Sequence, residues 1–218
     1  MKELGELWSP QVVLGATLIV PVGSCEQHGP HLPLDTDTRI AFAVARQIAS
    51  EISGCVVAPA IAIGASGEHA GFPGTLSIGT ETLALVLIEI VRSAGPEFER
   101  IMFLNGHGGN QPAIDRAAKT LTHDGHQHVL WHTLSGYPDA HAGHGETSVM
   151  LHFAPEFVGV DRPVGASGSW RELTPELRRG GVISVSPNGV LGDATDANAA
   201  NGKRIFDQLV ANAQAALL

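Results

Sequence analysis

Cysteine is nearly absent from this sequence: Cys25 and Cys55 are the only two, and neither sits in a CxxC pair. That excludes a disulfide framework or a cysteine-rich zinc fold and points to a reducing, cytoplasmic setting. Basic residues are scarce too. Thirteen Lys and Arg face 22 Asp and Glu, for a formal charge of −9, with no basic run. A phosphate-backbone binder needs clustered cations, so nucleic acid is excluded as a partner. Long apolar runs are missing as well. The longest, near Val12 to Val22, is too short to span a bilayer and reads as a buried strand, so no membrane partner is expected. The first residues, MKELGELWSPQVV, carry acids where a secretory signal would carry its positive start. Charged residues reach only 16% against 44% hydrophobic, which excludes disorder over most of the length.

Histidine is what the sequence has in excess: eleven, against a single tyrosine. It is the commonest metal ligand and proton shuttle, but a scattered histidine is more often structural, so placement decides. His123, His126 and His128, in the polar stretch THDGHQH, read as exposed or structural. Trp131 and Trp170 read as core residues and Arg171 as a surface one.

The 218 residues suit one domain in which strands and helices alternate. Strands are predicted at Val12–Val22, Cys55–Ile63, Arg100–Leu104 and His128–Thr133. Helices are predicted at Thr36–Glu51, with Ile40, Val44 and Ile48 stacked on one face, and at Thr80–Ser93, with Leu83, Leu87, Ile90 and Val91 inward. Further helices are predicted at Gln111–Leu121, Gly145–Phe153 and from Ala199 to Leu218. The Gly- and Pro-rich region from Val160 to Leu191 reads as irregular, with a strand near Val182–Val185. Repeated strand-then-helix order predicts an α/β fold, with a mostly parallel central sheet covered on both faces. Loops leaving the carboxyl ends of such strands converge on one edge, where ligands bind.

The polar motifs follow the strands. GSCEQHGPHLPLDTD follows the first, GASGEHAGFPGT the second, NGHGGN the third, and a stretch ending in HAGHGETS the fourth. In the first, Glu26 and His28 alternate, so extended backbone would aim both the same way. Asp37 begins the following helix, where the dipole favours a carboxylate. One His with two carboxylates suits Zn²⁺, Fe²⁺ or Mn²⁺. In NGHGGN no lysine accompanies the glycines, so His107 is better read as a metal ligand than as part of a phosphate loop. HAGHGETS adds His141 and Glu146, although Glu146 could equally serve as the first-turn charge of a helix. These residues suit two divalent ions, with Asp37 bridging, Glu26 and His107 on one and His28 and Glu146 on the other. Two adjacent ions activate water and polarise a carbonyl together. His141 would then carry a proton to the leaving nitrogen, giving His141 and Asp37 catalytic roles. Glu68, His69 and Phe72 are candidate substrate-binding residues, although loop packing explains them as well.

In their order and wording, GSCEQHGPHLPLDTDT, SGEHAGFPGTLS, LNGHGGN and HAGHGETS resemble the creatininase family of amidohydrolases, over about Leu18 to Leu151. The resemblance implies a three-layer α/β/α fold, a dinuclear metal site, hydrolysis of a C–N amide-type bond and a closed homo-oligomer. It carries metal-ligand roles onto Glu26, His28, Asp37 and His107. Two departures stand against creatinine as substrate. Creatinine-hydrolysing members have glutamates at the positions of Gly109 and Ala140, and their loss makes Glu146 the natural substitute ligand. The motif wording is most similar to a peptidase subgroup that trims a modified C-terminal dipeptide from a ribosomally made redox-cofactor precursor, so a modified peptide is the expected partner. Alternatives are hydrolysis of a small cyclic amide or formamide, a thiol amidase built on Cys25, and a metal- and peptide-binding protein without turnover.

Overall fold

The computed structural model describes residues 2–168 and 170–217, with backbone alone for Lys2, Trp170 and Arg171. The sequence readings of Trp170 and Arg171 therefore lie outside the described side chains. Five parallel strands are described: β1 (Lys2–Glu3), β2 (Ala16–Val22), β3 (Cys55–Val57), β4 (Phe98–Asn105) and β5 (Val129–Thr133). They run side by side in the order β1-β3-β2-β4-β5. Three crossover helices join them: α1 (Thr36–Glu51), α2 (Gly79–Ser93) and α3 (Gln111–His123). Then follow α4 (His144–Phe153), α5 (Trp170–Val185) and α6 (Ala199–Leu217).

Side-chain alternation along the strands sorts the core into two layers. Ile19 of β2 and Met102 and Leu104 of β4 point to one face, where α1, α4 and α6 cover them. Leu18, Val20, Val22, Ile101 and Phe103 point to the other, against α2 and α3. A sheet buried on both faces reads as continuous apolar runs, as β2 does. The expected three-layer α/β/α architecture is what forms. Because β3 and β4 flank β2 on opposite sides, the chain reverses direction across the sheet at β2, and a crevice opens beyond the ends of β2 and β4.

Three local expectations fail, each for a physical reason. β2 starts at Ala16, not Val12, because Gly15 turns at φ +83° and leaves Val13 and Leu14 exposed. β3 stops at Val57, two residues before Pro59, which has no N–H to give a ladder. The stretch read as irregular holds α5, and the strand expected at Val182–Val185 is its end, beyond a break at Gly181 (φ +69°). This β-branched run pairs with no strand among the described residues. Its groups bond locally instead, Ser186 N donating to Val182 O at 2.8 Å, while Val182 packs on Leu177 and Leu191.

Helix α6 approaches α4 closely at Gly202, where an added Cβ would overlap the Ser148 carbonyl. Gly202→Ala is expected to lower stability by about 1–3 kcal/mol through overpacking. A urea melt checks this, and an unchanged midpoint would count against the close approach.

Candidate metal centre

The ends of β2 and β4 deliver most of the site. After β2 the chain leaves regular structure, with Gly29 at φ +65°, and α1 then starts at Thr36 with Asp37 in its first turn. Beyond β4, Asn105 and Asn110 hold the NGHGGN loop. Asn105 Nδ2 donates to His107 O at 2.8 Å, and Asn110 Nδ2 donates to Gly23 O at 3.0 Å, tying the two loops together. Asn110 Oδ1 also accepts from Ala65 N at 2.8 Å, adding the loop after β3. Helix α4 brings Glu146, whose Oε2 accepts from Ala142 N at 2.6 Å.

Asp37 is the hub. Its Oδ1 lies 3.1 Å from His28 Nε2, and its Oδ2 lies 3.2 Å from His107 Nδ1 while accepting from Ser24 Oγ at 2.8 Å. Glu26 Oε2 is 3.0 Å from His107 Nε2, and Glu146 Oε2 is 4.0 Å from His28 Nε2. His28 Nδ1 lies 3.2 Å from the Glu26 backbone carbonyl, which can only accept, so Nδ1 carries the proton and Nε2 is left to ligate. All five residues expected as ligands are buried and adjoining. Three triads place one donor atom each within 4.8 Å of one another: Glu26–His28–Asp37, His28–His141–Glu146 and Glu26–His69–His141. His69 thus stands nearer the cluster than a peripheral substrate contact would.

The electrostatics call for cations. Burial pushes Glu26 up to about 7 against the pull of His107, and pushes Glu146 up to about 7 against that of His28. Burial would also raise Asp37, but His28 and His107 hold it well below the usual carboxylate range. Conversely, burial would lower His28, yet Asp37 lifts it to about 10; Glu26 and Asp37 likewise lift His107 well above its ordinary value. Protons on these two rings stand where positive charge is required. Both oxygens of Glu26 are fully buried and accept no hydrogen bond, although ring nitrogens approach them. A carboxylate held this way is costly without a cation. The donor set, mixed imidazole and carboxylate, fits zinc, iron or manganese.

Glu68 enters from the short 3₁₀ turn Gly67–His69, its Oε1 3.3 Å from His107 Nε2. Burial raises it, but His107 more than offsets this and keeps it below the usual carboxylate range. It occupies the space beside Gly109, where an added Cβ would overlap the Glu68 carboxylate and His107. A cavity of about 380 Å³ opens there, lined by Glu68, Gly109, Leu177 and Arg178 among others. Phe72 does not reach the cluster; it packs half-buried with Leu177, Val182 and Leu191. Cys25 is turned away, its Sγ 3.7 Å from Gly74 O, which leaves the thiol reading without support. His123 ends α3 at the surface, and His126 stands half-buried between α3 and β5.

Sequence reasoning missed Gln27 and Ser24. Strict alternation predicts that Gln27 faces away from Glu26 and His28. The loop is not a strand, however, and the Gln27 amide reaches His69 and His141. Ser24 had no signal beyond proximity.

The creatininase family profile, described as creatinine amidohydrolase, matches residues 11–217. A mycofactocin precursor peptide peptidase of Mycobacterium ulcerans is 50% identical over 96% of this chain and 88% of its own. The protein of that name from Mycolicibacterium smegmatis is 52% identical over 88% of this chain and 81% of its own. A solved structure of a mutant creatininase of Zn-Zn type superposes with a TM-score of 0.79 at 25% identity, covering 99% of this chain and 96% of the other.

Proposed function

Because the chain belongs to the creatininase family, and is accordingly a metal-dependent hydrolase of C–N amide bonds, we propose that it releases the modified C-terminal dipeptide from a mycofactocin-type precursor peptide. The likeness to the M. ulcerans peptidase along nearly the whole chain carries the substrate. The convergence of four strand-end loops on the cluster around Glu26, His28 and Asp37 carries the chemistry.

In this reading Glu26 and His107 would hold one divalent ion and His28 and Glu146 the other, with Asp37 shared, the metal being zinc, iron or manganese. Bound metal supplies a Lewis acid for the amide carbonyl and makes water acidic enough to act as a nucleophile near neutral pH. The chain's own groups do the rest. Water oxygen bonds to the carbonyl carbon, a water proton passes to His141 Nδ1, and the C–N bond breaks as His141 returns that proton to the leaving nitrogen. Glu68, which lines the cavity, and His69 next to it in the same turn orient the peptide. No helix among the described residues is long and apolar enough to cross a membrane. A cytoplasmic homo-oligomer completes the reading, and the exposed Trp8 and Leu14 would be covered in it.

Mass spectrometry of the precursor peptide incubated in H₂¹⁸O with metal-loaded protein tests this. One ¹⁸O in the new carboxyl group of the shortened peptide, together with the freed dipeptide, is expected, and o-phenanthroline should abolish both. An uncut precursor, beside a creatinine or formamide substrate that is turned over, would instead assign a small-molecule amidohydrolase.

A further inference from the structure

Gln27 lies between the two metal-facing side chains of its loop and is 5% exposed. Its amide is keyed by two backbone groups. Oε1 accepts from Gly29 N at 2.9 Å, and Nε2 donates to Gly189 O at 3.0 Å. Rotating the amide by half a turn would set donor against donor and acceptor against acceptor, so its orientation is fixed. Gly189, at φ +82°, has no Cβ to displace it.

Nε2 faces more acceptors than it has hydrogens. Besides Gly189 O, His69 Nδ1 is 2.9 Å away and His141 Nε2 is 3.1 Å away. His141 Nε2 also lies 2.9 Å from the backbone carbonyl of Gln27, which only accepts, so that nitrogen must carry a hydrogen. It then cannot accept from the amide, and the second amide hydrogen goes to His69 Nδ1. A ring nitrogen that accepts from the amide carries no hydrogen of its own, so His69 is the neutral form. A neutral imidazole has one N–H. That of His69 is therefore on Nε2, 3.3 Å from Glu26 Oε1, and the hydrogen fixed on His141 is on the nitrogen facing Gln27, so Nδ1 is the nitrogen left to take up a proton.

We propose that Gln27 is a positioning residue that assigns opposite roles to two adjoining histidines, making His69 an N–H donor and His141 a proton acceptor at the same cluster. The rings are 4.5 Å apart, and each offers a nitrogen within 4.8 Å of a Glu26 oxygen. An N–H at His69 Nε2 withholds that nitrogen from a cation and offers it to the oxygen of an amide carbonyl as negative charge develops there. The lone pair at His141 Nδ1 receives the water proton. The assignment rests on the amide-hydrolysis reading for its purpose, whereas the hydrogen positions are readable without turnover.

Long-range ¹H–¹⁵N correlation spectra of ¹⁵N-histidine-labelled, zinc-loaded protein, assigned with single His→Gln variants, test it. Wild-type His69 is expected as the Nε2–H form with neither nitrogen bound to zinc. Gln27→Met removes the amide donor and should move the His69 tautomer ratio toward Nδ1–H by about tenfold, the scale of one buried hydrogen bond. A wild-type His69 bonded to zinc through Nε2, or protonated on Nδ1, overturns the proposal, as does a ratio unchanged in Gln27→Met. Should the variant not fold, the wild-type spectrum decides. A failure of peptide cleavage alone would count against the function and leave these spectra unaffected.

Discussion

Asp37→Asn is expected to lower turnover by about 10³-fold, close to 4 kcal/mol of barrier, while circular dichroism stays unchanged. The amide keeps the shape of the side chain and can still accept from Ser24 Oγ. It removes the negative charge that lies between His28 Nε2 and His107 Nδ1, at 3.1 and 3.2 Å. Glu26 is nearest to His107, at 3.0 Å, and Glu146 approaches His28 to 4.0 Å. Asp37 thus meets both rings closely, one with each carboxylate oxygen, and its loss should cost the protein at least one ion. Rates on the precursor peptide, paired with metal analysis of the same sample, check this. Full activity with full metal content would remove Asp37 from the bridging role.

Metal affinity is expected to climb steeply with pH, by about a hundredfold per unit above neutrality. The sign follows from which groups hold protons in the metal-free protein. His28 is raised to about 10 and His107 well above its ordinary value, so both rings are protonated at neutral pH and must lose a proton to ligate. Two protons released per loading event give a slope of about two in the logarithm of affinity against pH. The slope should steepen below about pH 7, where Glu26 and Glu146 begin to hold protons as well, and should flatten as pH approaches the His28 value of about 10. Calorimetric zinc titrations in buffers of different ionisation enthalpy count the protons directly. Release of none near neutral pH would mean that these rings are not ligands.

The parallel sheet was legible because buried strands and amphipathic helices carry distinct periods. Ile40, Val44 and Ile48 are all buried on α1, and the runs in β2 and β4 are buried through both faces. Strand ends were less legible, since Gly15 and Pro59 act through backbone geometry that hydrophobicity does not register. Residues 182–185 show the limit of propensity. Val-Ile-Ser-Val reads as a strand until one knows that it pairs with no described strand.

Residue type and position after a strand were enough to expect Glu26, His28, Asp37, His107, His141 and Glu146 in one buried cluster. Ligand chemistry restricts the side chains that qualify, and the fold brings those loop positions together. Glu68 and His69 proved to stand at the cluster itself, because the turn Gly67–His69 folds under α5, where Gly181 approaches the Glu68 backbone. Gln27 could not be read. Glutamine has no characteristic role at a metal site, and its orientation depends on Gly189, 162 residues away in the chain. Long-range hydrogen bonds of this kind leave no local pattern.

Anomalous scattering from crystals of the metal-loaded protein tests the central claim most directly. Two peaks are predicted, one on each side of the Asp37 carboxylate, with Glu26 and His107 at the first and His28 and Glu146 at the second. A single peak, or metal bound away from Asp37, would contradict it.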